Sequence, residues 1–359
     1  MNFLKKHKIA ITSKDSSKLW SNGLTQNAYF LICLLSAAGY DVDAVSQFDD
    51  VGKQIEEFEI KRLTTENIKN YNIVIEVCYS VTDQLLFVAK KNGVKIVTIN
   101  YGNILMLMQE DMLMRPEQTP AINRGGYDTW ISPHFEFSKG FVETTSKGNV
   151  SICPYIWDPK IFDKYCAQTN LNPFYEHGDL KKIKIGIFES NINIIKTAIY
   201  PLIALEKLER NNPAAVNEIL VFNGLTLKEN KKFQEIMSFF DIKKKTSLEA
   251  RYPLPNMLSK RYVNLILSHQ FYCDLNYLVL EGFYTGFPTV HNSDTCREAG
   301  YYYSAFDADQ CGEKILEAIS SHDDNLDRQK KSSVEMLYRF SIQNDENIKG
   351  YVSLIENVS

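Results

Sequence analysis

Cysteine is scarce in this chain and poorly placed for structural use: seven in 359 residues, an odd number, scattered, with no close C-x-x-C pair. That spacing excludes a disulfide framework or a zinc ribbon and suggests free thiols in a reducing compartment. Positive charge is also short, 40 Lys and Arg against 44 Asp and Glu, net −4. No global field therefore draws nucleic acid or an acidic membrane. The basic runs, Lys5-Lys6-His7-Lys8, Lys181-Lys182 with Lys184, and Lys243-Lys244-Lys245, read as solvated loops or helix ends. No stretch approaches the roughly 18 apolar residues of a membrane span, and residues 1–8 lack the apolar core of a signal peptide. The expectation is a soluble, cytoplasmic protein. Familiar nucleotide and hydrolase loops are missing too. After the first apolar run comes Ser13-Lys14-Asp15-Ser16-Ser17, not GxGxxG, and there is no Walker loop and no GxSxG elbow.

What is present is ample core material, 44% hydrophobic residues with 20 Phe and 20 Tyr, in a chain long enough for two domains at roughly 100–200 residues each. Short apolar runs alternate with helical periodicity. In the first half, strands are predicted over 8–12, 41–45, 72–76, 94–99, 128–131 and 149–152, with helices over 24–38 and 82–92. Cys153-Pro154-Tyr155-Ile156-Trp157-Asp158-Pro159 reads as a rigid connector. The alternation then restarts: strands over 183–188, 218–222, 263–268 and 289–291, and helices over 196–210, 227–239, 253–261, 276–285, 309–321 and 326–348. Strands alternating with helices imply α/β architecture with parallel sheets covered on both faces. The predicted domains are 1–160 and 161–334, both Rossmann-like, with a terminal helix about 335–359 that packs back on the first.

One segment carries more chemistry than the rest: Asn276-Tyr277-Leu-Val-Leu-Glu281-Gly-Phe-Tyr-Thr-Gly286-Phe-Pro288-Thr-Val-His291-Asn292-Ser293. A short helix ends at a glycine, which suits the left-handed residue past a helix end, and Pro288 blocks a return to helix. Free N–H groups and a positive dipole at the helix start suit phosphate. An acid about one turn in suits vicinal sugar hydroxyls. Ligands of open α/β sheets lie outside the carboxyl ends of the strands.

The two-domain pattern and the Glu281…Gly286-x-Pro288 element resemble the GT-B class of glycosyltransferases. Trp20-Ser21-Asn22-Gly23-x-x-Gln26-Asn27, Asn100-Tyr101-Gly102-Asn103, Cys153-Pro-Tyr-Ile-Trp157-Asp158-Pro159 and Pro288-Thr-Val-His291-Asn292-Ser293 resemble one phage and bacterial GT-B family. That family is similar to the phage enzymes that put arabinose onto hydroxylated cytosine in DNA. The resemblance implies two Rossmann-like domains facing a cleft, a UDP-sugar donor, double-stranded DNA bearing modified cytosine as acceptor, and no metal or other cofactor. It also implies donor-binding roles. Ser190, Asn191 and Lys196, at the start of the helix over 196–210, would meet the diphosphate, and Arg251 offers a planar phosphate fork. Asn276 and Tyr277 lie where N–H groups meet phosphate, Glu281 takes the ribose hydroxyls, and His269 stacks on or bonds to base or sugar. The family's pair of glutamates eight positions apart is broken, since Cys273 with Asp274 beside it occupies the earlier place. The acid pairs Asp49-Asp50 and Asp323-Asp324 fall in polar loops rather than at a strand end that could hold a divalent ion.

In the acceptor half, Asn22 and Gly23 form a cleft loop, where glycine admits a close ligand and Asn22 alternatively caps the following helix. Tyr101, Gly102 and Asn103 follow a strand, where an aromatic ring could stack on a flipped base. Transfer to a hydroxyl calls for a proton acceptor. The candidates are Glu76 at the end of an apolar run, Glu110 with Asp111 among methionines, which would raise a carboxylate's pKa, and His134. The methionine run itself reads as core packing. Transfer to a surface glycan or a protein, a non-catalytic sugar-nucleotide module, and an epimerase on the same architecture stay open.

Overall fold

A computed structural model describes residues 7–20, 23–114 and 127–358. The chain divides into two compact units, one of Met1–Asp158 with Phe340–Ser359, the other of Pro159–Arg339.

The first unit runs β1 (Lys8–Thr12), α1 (Gly23–Ala37), β2 (Asp41–Ser46), β3 (Gln54–Ile55), β4 (Phe58–Glu59), β5 (Lys61–Arg62), β6 (Ile73–Glu76), α2 (Asp83–Lys91), β7 (Lys95–Asn100), α3 (Ile104–Met114), β8 (Asp128–Ile131), α4 (Lys139–Ser146) and β9 (Val150–Ile152). Among the described residues its sheet has the order β5-β2-β1-β6-β7-β8-β9, parallel at every pairing. Strand side chains alternate between faces; Ala10, Val45, Val74 and Ile96 pack on Leu85 and Ala89 of α2. The small hairpin β3–β4 is antiparallel.

The second unit opens with α5 (Lys160–Thr169) and continues β10 (Lys184–Ile187), α6 (Ile199–Asn211), β11 (Glu218–Val221), α7 (Lys231–Ser238), β12 (Thr246–Leu248), α8 (Leu254–Ser259), β13 (Leu265–Leu267), α9 (Tyr277–Thr285), β14 (Thr289–His291), β15 (Tyr301–Tyr302), α10 (Ala308–Ser321) and α11 (Leu326–Phe340). The sheet order is β12-β11-β10-β13-β14-β15, again parallel throughout. Leu265 and Leu267 of β13 enter one core with Ile185, Ile187, Leu202 and Leu205, while Ile266 between them enters the other with Leu278 and Phe287. Helix α12 (Asp345–Glu356) returns to the first unit. There the Tyr351 hydroxyl donates to Pro154 O at 2.8 Å and its ring meets Trp130 edge-on.

Three sequence expectations change. The single helix over 326–348 is two, because the Asn344 side chain accepts from Glu346 N at 2.8 Å and starts α12 afresh. The methionine-rich stretch 106–114 is helix, not core. Helix α3 buries none of its residues, and Met112, Leu113 and Met114 are 70–80% exposed. Residues 160–169, for which the sequence predicts no element, form α5, whose Ile161, Phe162 and Cys166 are buried. Among the described residues no helix is long and apolar enough to cross a membrane.

Candidate donor site at the carboxyl edge of the second sheet

In a parallel sheet with helical crossovers, every loop that leaves a strand's carboxyl end appears on one edge. The loops after β10, β12 and β13 bring Ser190, Asn191, Lys196, Arg251 and His269 to that edge, together with Asn276 and Tyr277 at the start of α9. Strands β12 and β13 are three steps apart, about 14 Å at the usual strand spacing, so Arg251 belongs to the far side of this edge. Arg251 is exposed, and Ser190, Asn191 and Lys196 are half-buried.

Lys196 is not at a helix start, as the sequence suggested; α6 begins at Ile199 and Lys196 lies in the loop before it. The loop is held by Asn191, whose backbone is left-handed (φ 55°). Asn191 Oδ1 accepts from Ala198 N at 2.8 Å, Nδ2 donates to Glu189 O at 3.0 Å, and its N–H donates to Lys196 O at 2.9 Å. These bonds commit Asn191 to loop shape, which leaves Lys196 as the loop's charge. That charge opposes the desolvation of Glu189 and acts on Cys273.

Glu189 is the residue sequence reasoning missed. It follows β10, is buried, and accepts from Ser268 Oγ (2.8 Å), His269 N (3.2 Å) and Gln270 Nε2 (2.5 Å). Burial raises its pKa against these donors. It thereby ties the end of β10 to the loop after β13. The signal was available, since Glu189 ends an apolar run just as Glu76 does. The same loop is pinned to β14 by Asn292, which accepts from Gln270 N at 2.9 Å and donates to Gln270 O at 2.8 Å. His291 uses both ring nitrogens on this turn, with Ala299 O at 2.9 Å and Ser293 N at 3.1 Å.

Helix α9 starts at Asn276, an N-cap whose side chain accepts from Leu278 N, and ends at Gly286 with φ 72°. Gly286 N donates to Phe283 O at 3.2 Å. Glu281, the fifth residue of α9, sits about 6 Å from the helix start at 1.5 Å per residue. It is 7% exposed, and no side-chain hydrogen-bond partner meets its carboxylate among the described residues. Burial alone pushes its pKa up to about 8. His269 is enclosed, stacks on Tyr200 with ring centroids 4.0 Å apart, and has its pKa lowered by burial to about 3.

In the first unit Glu76, Tyr101 and His134 lie at the carboxyl ends of β6, β7 and β8, on one sheet edge, but several of the expected acceptor residues are committed to the fold. Glu76 accepts from Val81 N (2.7 Å), Thr98 Oγ1 (2.7 Å) and Tyr127 Oη (3.4 Å) and is 2% exposed. Burial raises its pKa. Those bonds make it an anchor of the loop after β6, with little surface for a substrate hydroxyl. Glu110 and Asp111 are half-buried on α3, a helix with no fully buried residue. His134 follows β8 and packs on Phe135 and Tyr155. Tyr101 turns its hydroxyl inward beside Cys153 and Tyr351, so its ring tip is not presented for base stacking. Gly102 follows it, where a Cβ would meet Leu107 Cδ1 at 3.6 Å, and Asn103 caps α3 by accepting from Met106 N at 3.1 Å. Gly23 is the exposed first residue of α1, and a Cβ built on it would meet no other atom within 4 Å among the described residues. Asn22 lies outside the described residues. Among the described residues no group of three His, Cys, Asp or Glu side chains is arranged to hold a metal ion.

Solved glycosyltransferases share this fold. One is an α-glucosyltransferase in complex with UDP and a 13-mer DNA containing an HMU base, with TM-score 0.61, 14% identity, and coverage of 98% of this chain and 100% of that one. Another is Alr3699/HepE of Anabaena in complex with UDP-glucose, with TM-score 0.60, 11% identity, and coverage of 97% and 100%. A third is a glycosyltransferase from Rickettsia africae ESF-5, with TM-score 0.59, 13% identity, and coverage of 99% and 100%. The architecture is that of the GT-B class. No curated protein matches the sequence. Residues 8–355 match one family model along nearly the whole chain, and the chain belongs to that family, described as Protein of unknown function (DUF2827).

Proposed function

We propose that the chain is a glycosyltransferase that takes a sugar from a UDP-sugar and transfers it to a hydroxyl. The observation that carries this reading is Glu281, a buried carboxyl without a side-chain partner among the described residues, one turn into a helix that starts at the carboxyl edge of a parallel sheet. A vicinal diol supplies the two O–H donors that such a carboxylate lacks. The α9 N-terminus and Lys196 would meet the diphosphate, with Arg251 farther along the edge. Positive charge from side chains and amides stabilises a leaving nucleoside diphosphate, and the reading invokes no metal. Structural likeness to a UDP-glucose complex and to a UDP complex supports the donor class.

For the acceptor, the reading is hydroxylated cytosine in double-stranded phage DNA, with a pentose such as arabinose as the sugar. The neighbour crystallised with HMU-containing DNA supports a nucleic-acid acceptor. The net charge of −4 favours a second reading, a glycan or protein acceptor. Incubation with UDP-arabinose or UDP-glucose and DNA containing hydroxymethylcytosine should release UDP and add one sugar mass per modified base, with EDTA having no effect. DNA affinity should fall steeply with salt. UDP release onto a glycan but not onto DNA selects the second reading. A wild-type protein that no UDP-sugar stabilises against heat sinks both, because a bound ligand must raise the melting temperature.

A further inference from the structure

His269 presents a buried ring nitrogen, Nε2, that no hydrogen bond satisfies among the described residues. The Tyr303 hydroxyl lies 3.2 Å from Ser268 O and 2.9 Å from His269 Nδ1. With the phenolic proton given to Ser268 O, the one of its two neighbours that can only accept, Nδ1 carries the proton that meets the phenol oxygen; this tautomer is assigned from the bonding pattern. Nε2 is then a bare lone pair. It is fully enclosed and has no hydrogen-bond partner among the described residues. The residue as a whole is 4% exposed.

A second polar edge stands beside it. Tyr200, in the first turn of α6, stacks on the His269 ring with planes 30° apart, and its hydroxyl is likewise enclosed without a partner. Face-to-face stacking keeps the two polar edges from bonding to each other. Phe306 covers the pair, 4.8 Å from the His269 ring and edge-on to Tyr200 at 5.2 Å, and is 52% exposed. A half-exposed ring is the removable wall of this enclosure. The charges acting on Tyr200 are acidic, from Asp307 and Asp309. Asp307 caps α10, and Asp309 pairs with Lys207 at 2.6 Å. Burial keeps the imidazole neutral. An enclosed acceptor of this kind favours an O–H donor and penalises an anion, whose charge would go unpaired.

We infer that His269 Nε2 and Tyr200 Oη form a subsite for an uncharged, hydroxyl-bearing sugar ring, entered as Phe306 moves aside, and that this subsite rejects anionic sugars. The inference deepens the donor reading above and rests on it. The subsite lies at the same carboxyl edge as α9, in the loop that Glu189 and Asn292 hold rigid.

The test is calorimetric titration of UDP, UDP-glucose and UDP-glucuronate into the wild type, His269→Phe and Tyr200→Phe. UDP has no sugar and serves as the internal reference. Wild type should bind UDP-glucose about tenfold more tightly than UDP-glucuronate, and in each variant the ratio of UDP-glucose to UDP affinity should fall about tenfold. Tyr200→Phe removes one oxygen and keeps the stacked ring, so it decides the matter should His269→Phe misfold. Variants with an unchanged ratio of UDP-glucose to UDP affinity overturn the inference and spare the donor reading. A wild type that fails to bind UDP overturns both.

Discussion

Glu281 sets two demands against each other. A carboxyl buried without donors is held protonated, with a pKa raised to about 8 from 4.5. Between those values the folded state binds the proton and the unfolded state does not, so stability falls as pH rises from about 4.5 through 8. Each unit of difference is about 1.4 kcal/mol, which puts the full loss on the order of a few kcal/mol. Glu281→Gln removes the titration while keeping shape. The expected outcome is a variant of near wild-type stability at pH 5 that exceeds wild type by a few kcal/mol in urea unfolding at pH 9, with weakened UDP binding. Equal pH profiles for the two proteins would refute the burial account. Glu281 was legible in the sequence because helix, glycine and proline signals bracket it; that its carboxyl meets no donor among the described residues was not, since this depends on which neighbours the fold supplies. Glu76 illustrates the converse. Its place at the end of an apolar run was readable, but the Val81 amide and the Thr98 hydroxyl that occupy it come from residues 5 and 22 positions away.

Helix α9 shows how an element transmits packing to the site. Gly282 faces β14: a Cβ built there would stand 2.4 Å from Thr289 Oγ1 and 3.2 Å from Ile266 Cδ1. Helix and sheet therefore meet at glycine distance, and the approach fixes where Glu281, one residue earlier, is held. Gly282→Ala should cost roughly 1–3 kcal/mol, as overpacking in a close-packed core does. It should also lower UDP affinity, since α9 must shift off the sheet. Chemical denaturation with a UDP titration checks both, and an alanine variant of wild-type stability would mean that the helix has slack. Elements such as α9 were readable because cap, periodicity and stop agree. Helix α3 was not, because its polar residues Gln109, Glu110 and Asp111 are consecutive, so they spread around the helix and leave no periodicity to fix a face. The break between α11 and α12 was hidden in the same way, since Asn344 capping a new helix looks in sequence like one polar residue in a long helical pattern.

At the scale of the molecule, the first unit is assembled from both ends of the described chain, and its integrity depends on the last helix. Trp157 N donates to Phe340 O at 2.8 Å, where α11 ends. Beyond it, Tyr351 and Ile355 of α12 are buried, and Tyr351 closes on Trp130 with its hydroxyl on Pro154 O. Removing that ring leaves a cavity and an unmet carbonyl, and large aromatic truncations of this kind cost about 3–5 kcal/mol. A domain's whole stability is about 5–15 kcal/mol, so Tyr351→Ala should leave the first unit marginal. The second unit has its own two cores, one on each face of its sheet, and no α12 residue is a member of either. Hydrogen exchange followed by mass spectrometry should therefore show Tyr351→Ala losing protection in peptides from β1, β6, β7 and β8, while β10, β11 and β13 keep theirs. UDP should still protect the loop at 268–276 in the same variant, because the proposed donor residues all belong to the second unit. Loss of protection spread evenly over both sheets would show that the two units fold as one.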